Sequence, residues 1–210
     1  MDLIVTPAVL IPRPETEHLI EAVLALTSSD PRPSASDKIP RSTSQLRIVD
    51  VGTGSGCIAL ALAKELPMAQ IDATDISEKA LEVARANAAR QQLERRIQFH
   101  RADLLNGLGR DFDFVVSNPP YVGESEADEV QLEVRRFEPQ RAVFAGATGV
   151  EVIARLIPQA RTALRPAGWL LMEISGTIAD ETRHLLQDWD DVRIIADLQS
   201  IPRVACARKP

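Results

Sequence analysis

Arg47-Ile48-Val49-Asp50-Val51-Gly52-Thr53-Gly54-Ser55-Gly56-Cys57-Ile58-Ala59 reads as a buried strand, a glycine turn and the start of a helix. Three apolar, β-branched positions before the turn suit a strand covered on both faces, and three glycines in five residues suit backbone that must turn tightly and approach a ligand. From Leu46 onward, short apolar runs alternate with helical stretches, the pattern of a parallel sheet with helices on both faces, so the fold class is α/β. Strands are expected over residues 47–51, 70–74, 97–101, 112–117, 169–174, 192–196 and 203–207, with helices over 57–66, 78–91, 150–164 and 178–187.

Ahead of this unit, residues 14–26 predict an amphipathic helix. Pro14 opens it, Glu15 and Glu17 lie in its first turn, and Leu19, Ile20, Val23 and Leu24 share a face. Residues 27–45 are rich in Ser and Pro and predict a mobile surface connection. The expected division is a leading segment, residues 1–45, and a catalytic domain, residues 46–210.

The formal charge of −6 over 210 residues advertises no basic face for nucleic-acid phosphates, so nucleic acid is not the expected partner. No apolar run reaches the roughly 18 residues of a membrane span, and the N-terminus lacks a signal-peptide pattern, so a cytoplasmic protein without a membrane partner is expected. Cys57 and Cys206, far apart and without His or Cys at ligand spacing, predict no metal site and two small buried side chains.

The glycine turn separates two nucleoside cofactors. A dinucleotide fold wants Gly-x-Gly-x-x-Gly, with pyrophosphate on the helix N-terminus; here Cys57 stands at the third glycine position, and Asp50 would face a pyrophosphate badly. A carboxylate there suits the cationic amino-acid end of S-adenosylmethionine, and Asp75, closing the next strand, can accept from both ribose hydroxyls. The alternative is a plain tight turn with Asp75 capping the following helix, a task Ser77 could share. Asp103, after the third strand, is expected either on the adenine amino group or exposed near the sheet edge.

The strand at 112–117 ends in Asn118-Pro119-Pro120-Tyr121. Two prolines forbid ladder hydrogen bonds and stiffen the backbone, so their carbonyls point in fixed directions. The Asn118 side-chain oxygen and the Pro119 carbonyl can accept both protons of a planar –NH2 group and aim its nitrogen at a sulfonium methyl, while Tyr121 stacks on the flat group. The alternative is a proline-bounded surface turn.

Together these residues resemble the glutamine N5-methyltransferases that modify peptide-chain release factors. Leu10-Ile11-Pro12-Arg13-Pro14-Glu15-Thr16-Glu17 is similar to that family's leading motif, residues 50–56 to its cofactor turn and residues 118–121 to its catalytic loop; Val134-Arg135-Arg136-Phe137-Glu138-Pro139, Phe144-Ala145-Gly146, Gly149 and Arg203-Val204 follow in order. The resemblance implies a seven-stranded Rossmann-like class I methyltransferase fold, S-adenosylmethionine as cofactor, and methylation of the glutamine in a release factor's Gly-Gly-Gln loop. It implies cofactor contacts from Gly52, Thr53, Gly54, Ser55, Gly56, Asp75, Asp103 or Leu104, and Asn118. Asn118, Pro119, Pro120 and Tyr121 would touch substrate, and Arg13 and Glu15 would close the pocket, an ordinary helix N-terminus being the alternative for those two.

The Asn-Pro-Pro-Tyr loop is shared with DNA adenine N6 and RNA guanine N2 methyltransferases, and a sister group modifies a ribosomal-protein glutamine; the Arg-Pro-Glu-Thr-Glu form favours release factors. The family carries a helical domain ahead of the leading motif, and this chain begins almost at that motif, so that domain is expected to be absent. A non-catalytic cofactor-binding module is the remaining alternative. The acidic run 124–129 predicts either an attraction for a positive substrate tip or a solvated loop. His18, His100 and His184 predict solvated or strand-end positions, and Trp169 and Trp189 predict packing.

Overall fold

The computed structural model describes residues 1–29, 46–128 and 132–210. Most of the Ser/Pro-rich stretch and Glu129 of the acidic run lie outside the described residues. The order is α1 (Thr16–Ser29), β1 (Arg47–Val51), α2 (Cys57–Glu65), β2 (Gln70–Asp75), α3 (Glu78–Arg90), β3 (Ile97–Arg101) and β4 (Phe112–Ser117). An excursion follows, made of β5 (Val122–Gly123), a 3-10 turn (Glu124–Glu126), α4 (Leu132–Phe137), α5 (Gln140–Val143) and β6 (Phe144–Gly146). The chain then forms α6 (Glu151–Ala163), β7 (Leu164–Glu173), a 3-10 turn (Gly176–Ile178), α7 (Ala179–Leu185), β8 (Asp190–Ala196) and β9 (Pro202–Arg208).

Seven strands make one sheet in the order β3-β2-β1-β4-β7-β9-β8. The expected α/β architecture is present, with one departure from a parallel sheet: β9 runs antiparallel to both β7 and β8. Only residues 197–201 join β8 to β9, too few for the crossover that a parallel pair requires. That short turn is tied by Asp197, whose carboxylate accepts from the Gln199 and Ile201 amides and pairs with Arg203 at 2.9 Å.

Side-chain alternation splits the interior into two cores. Ile48, Ile71, Phe114, Val116 and Leu171 face α1 and α2 on one side, while Val49, Val51, Val115, Leu170 and Met172 face α6 and α7 on the other. α1 belongs to the first core: Leu19 and Val23 are fully buried there, each worth about 2 kcal/mol of transfer free energy. Trp169 and Trp189 are both buried, as is Cys206; Cys57 at the first turn of α2 is only half-buried, because the N-terminal end of that helix is less covered than its middle.

The sequence patterns missed β5, β6, α4 and α5. Each is six residues or shorter, below the length at which periodicity can be read.

Candidate active site

β1 is flanked by β2 on one side and β4 on the other, so the chain reverses direction across the sheet at β1. Loops leaving the carboxyl ends of β1 and β4 part there and open a crevice. Ser117 Oγ donates to the Val51 carbonyl at 2.7 Å, which locks the last residue of β4 beside the last residue of β1. The glycine turn and the Asn-Pro-Pro-Tyr loop therefore emerge as neighbours.

Gly52, Gly54 and Gly56 all adopt positive φ (73°, 55° and 84°), the left-handed region that glycine enters without cost. Their surroundings differ. A Cβ on Gly52 would meet nothing within 4 Å, and one on Gly54 only the Gly52 carbonyl at 4.0 Å, whereas one on Gly56 would press on Ala84 Cβ of α3 at 3.2 Å. Two glycines border open space and the third allows helix packing. The Gly52 and Thr53 amides donate to the Thr74 carbonyl, tying the turn to the end of β2.

Asp50 is fully buried. One carboxylate oxygen accepts from Thr53 Oγ1 at 2.6 Å and from the Ala59 amide at 3.1 Å, while its Oδ1 has no partner. Burial pushes its carboxyl up to about 7, against the lowering effect of the Thr53 and Ala59 hydrogen bonds. Thr53 thus holds Asp50 in place with its hydroxyl. Asp75 accepts from the Gly54 amide at 3.0 Å and the Ser77 amide at 2.9 Å, and burial raises its carboxyl as well. Ser77 also caps α3 by accepting from the Ala80 amide. Ser55 is buried, and its carbonyl accepts from Asn87 Nδ2 of α3, whose amide also binds both backbone groups of Ile4.

These residues fit an S-adenosyl ligand. A buried carboxylate oxygen without a partner suits a donor cation; open space over Gly52 and Gly54 suits a close-lying ligand; and each Asp75 oxygen retains a lone pair beyond the one given to backbone.

Asp103 forms an ion pair with Arg155 of α6 at 2.5 Å, and Leu104 beside it holds positive φ at 56° while packing on the second core. Arg13 pairs with Glu138 at 2.5 Å, joining the leading motif to the turn between α4 and α5. Glu15 contributes its charge to Tyr121, Glu173 and Arg203. In the acidic run, Glu126 accepts from the Gly123 amide and Asp128 pairs with Arg135. His18 is partly buried with Nδ1 at the Glu15 carbonyl, and His100 pairs with Asp72 between β3 and β2 at 2.6 Å.

Around Asn118 the structure gathers Thr16, which sequence reading named only as part of the leading motif, and Glu173, which it passed over. Asn118 Nδ2 donates to Thr16 Oγ1 at 3.3 Å, Thr16 Oγ1 donates to Glu173 Oε2 at 2.7 Å, and Tyr121 OH donates to Glu173 Oε1 at 3.3 Å. Glu173, 1% exposed at the end of β7, has its carboxyl raised by burial. Burial, with Glu173 beside it, also raises the Tyr121 phenol, which stays protonated. A glutamate ending an apolar strand was the available signal, since carboxylates are rarely buried without partners. Pro119 is buried and Pro120 half-buried, so the loop is wedged against the protein.

Residues 37–137 match the family described as Methyltransferase small domain. A release factor glutamine methyltransferase from Koribacter versatilis is 52% identical, covering 100% of this chain and 70% of that protein. A protein of the same name from Rhodopirellula baltica is 39% identical, covering 96% and 67%. In fold the chain is similar to the N-terminal domain of human METTL16 solved in complex with SAH, with TM-score 0.63 and 19% identity over 98% of this chain and 74% of that one. The sheet is therefore that of the class I methyltransferases, and on identity sustained along its whole length this chain belongs to the release factor glutamine methyltransferase family.

Proposed function

We propose that this enzyme transfers the methyl group of S-adenosylmethionine to the side-chain amide nitrogen of the glutamine in a release factor's Gly-Gly-Gln loop. The observation that carries the reading is the wedged Asn118–Pro119–Pro120–Tyr121 loop beside the glycine turn, with Ser117 bonded to Val51. Membership of the family supplies the substrate. A release-factor substrate supports a cytoplasmic setting for the reaction, and no described helix is long and apolar enough to cross a membrane.

The bound cofactor supplies an electrophilic methyl group on a cationic sulfur. Asp50 would face its ammonium, Asp75 its ribose, and Gly52 and Gly54 would let it lie against backbone, with Thr53, Ser55 and Gly56 shaping the turn and Asp103 and Leu104 bordering the adenine side. An amide nitrogen is a poor nucleophile because its lone pair is shared with the carbonyl. Asn118 Oδ1 and the Pro119 carbonyl accept its two protons, push electron density back onto nitrogen and hold the approach line, a positioning effect. Tyr121 packs on the flat amide, Pro120 stiffens the floor, and Arg13 and Glu15 help close the pocket. With the cofactor bound, the nitrogen–carbon bond would form as the sulfur–carbon bond breaks, and the surplus proton would leave to solvent while Asn118 and the Pro119 carbonyl hold the amide in line.

Labelled S-adenosylmethionine, purified release factor, a Gln→Ala variant of its loop and duplex DNA test this directly. Label on the wild-type factor alone is expected; label on DNA, or on the Gln→Ala variant, overturns the reading.

A further inference from the structure

The side-chain amide of Asn118 has a donor end and an acceptor end of nearly the same shape, and only the acceptor end can take a substrate N–H. Something must choose which end faces the substrate. Each hydroxyl in the buried cluster carries a single proton. Thr16 gives its proton to Glu173 Oε2 at 2.7 Å, and Tyr121 gives its own to Glu173 Oε1. With its proton spent, Thr16 can meet Asn118 only as an acceptor, which selects Nδ2 at 3.3 Å. A flipped Asn118 would set two lone-pair oxygens against each other.

The geometry points to Thr16 and Glu173 as positioning residues that set the polarity of Asn118, tying down its Nδ2 so that Oδ1 is the atom offered to the substrate glutamine. This rests on the proposed glutamine methylation. The chain of bonds runs from Glu173 on β7 through Thr16 on α1 to Asn118 in the loop after β4, and neither Thr16 nor Glu173 touches the reacting atoms: both act through Asn118. Thr16 is 4% exposed and Glu173 1%, so water does not compete for the bond between them, while Asn118 is half-buried with one edge towards the crevice. The Glu173 carboxylate anchors the cluster because, when ionised, it can only accept.

The test compares Thr16→Val, which removes the hydroxyl at constant volume, with Thr16→Ser, which keeps it, on the full chain. Thr16→Val should lower kcat about 30-fold, with release-factor KM and S-adenosylhomocysteine affinity within about twofold of wild type, and Thr16→Ser should restore kcat to within about threefold. An independent readout uses 15N-asparagine labelling. The sequence has three asparagines, Asn87, Asn106 and Asn118, so the Asn118 side-chain NH2 pair is assigned by its loss in Asn118→Asp. That pair should move in Thr16→Val and stay in place in Thr16→Ser. Wild-type kcat in Thr16→Val, equal slowing in Thr16→Ser, or an unmoved Asn118 pair in Thr16→Val overturns the proposal. If Thr16→Val does not fold, Thr16→Ala against Thr16→Ser makes the same decision, since those two differ by one oxygen. If the wild-type enzyme labels no release factor, the glutamine reading fails, and the NMR comparison still decides the orientation of Asn118.

Discussion

On the cofactor side, Asp50 bonds Thr53 and Ala59, and Asp75 bonds Gly54, partners 3, 9 and 21 positions apart. On the amide side, Asn118 reaches Thr16, Thr16 reaches Glu173 and Tyr121 reaches Glu173, across 102, 157 and 52 positions. The first set belongs to one strand–turn–helix–strand unit and forms whenever that unit folds. The second needs β7 laid beside β4 and α1 docked on the sheet. On the proposed function, local geometry would hold the ligand and global assembly would aim the chemistry.

The sharpest way to break this contrast is Asn118→Ala. Turnover should fall about 100-fold or more, the scale of losing one preorganised donor or acceptor in a transition state, while cofactor affinity measured by calorimetry stays unchanged. Equal losses in both would show that the two sides are not separable. Asp75→Ala should do the reverse, weakening cofactor binding about 30-fold through lost charge-assisted hydrogen bonds, with kcat at saturating cofactor nearly intact.

A third expectation follows from the buried Asp50, whose carboxyl lies near 7 before a cationic ligand arrives. Ionised Asp50 binds the cation better than neutral Asp50, so cofactor affinity should rise about tenfold between about pH 6 and about pH 8, and Asp50→Asn should flatten that dependence. Stability runs the other way. The folded protein holds a proton on Asp50 that the unfolded chain releases above its ordinary value of 3.8, so this group makes the unliganded fold less stable as pH rises towards 7.

The smallest contrast lies within the turn itself. Gly56→Ala combines a left-handed alanine, costing about 1–2 kcal/mol, with pressure on Ala84, and should lower Tm by several degrees. Gly52→Ala carries the strain alone, so it should lower Tm less and weaken the cofactor more. Thermal melts with and without S-adenosylhomocysteine separate the two; identical behaviour would erase the distinction drawn from their surroundings.

What could be read without coordinates was whatever repeats or clusters along the chain. The seven strands and four main helices of the sheet domain came from periodicity, and the run 47–59 together with Asn118-Pro119-Pro120-Tyr121 came from residues that a sheet would not choose for its own stability. Where periods were too short, as in β5, β6 and α4, nothing could be read. Neither could the antiparallel β9, whose direction depends on the five-residue turn at 197–201.

The leading motif shows the same divide. Pro14, the acidic first turn and the apolar face announce a helix, yet nothing local marks Thr16 as more than one of its first residues. The sequence by itself determined the α/β class, the glycine turn with its acids and the rigid amide loop, because each is written in neighbouring residues. Only the tertiary structure decided that Thr16 and Glu173 meet at Asn118, because burying a carboxylate forces it to find donors wherever folding brings them, 157 positions away in this chain.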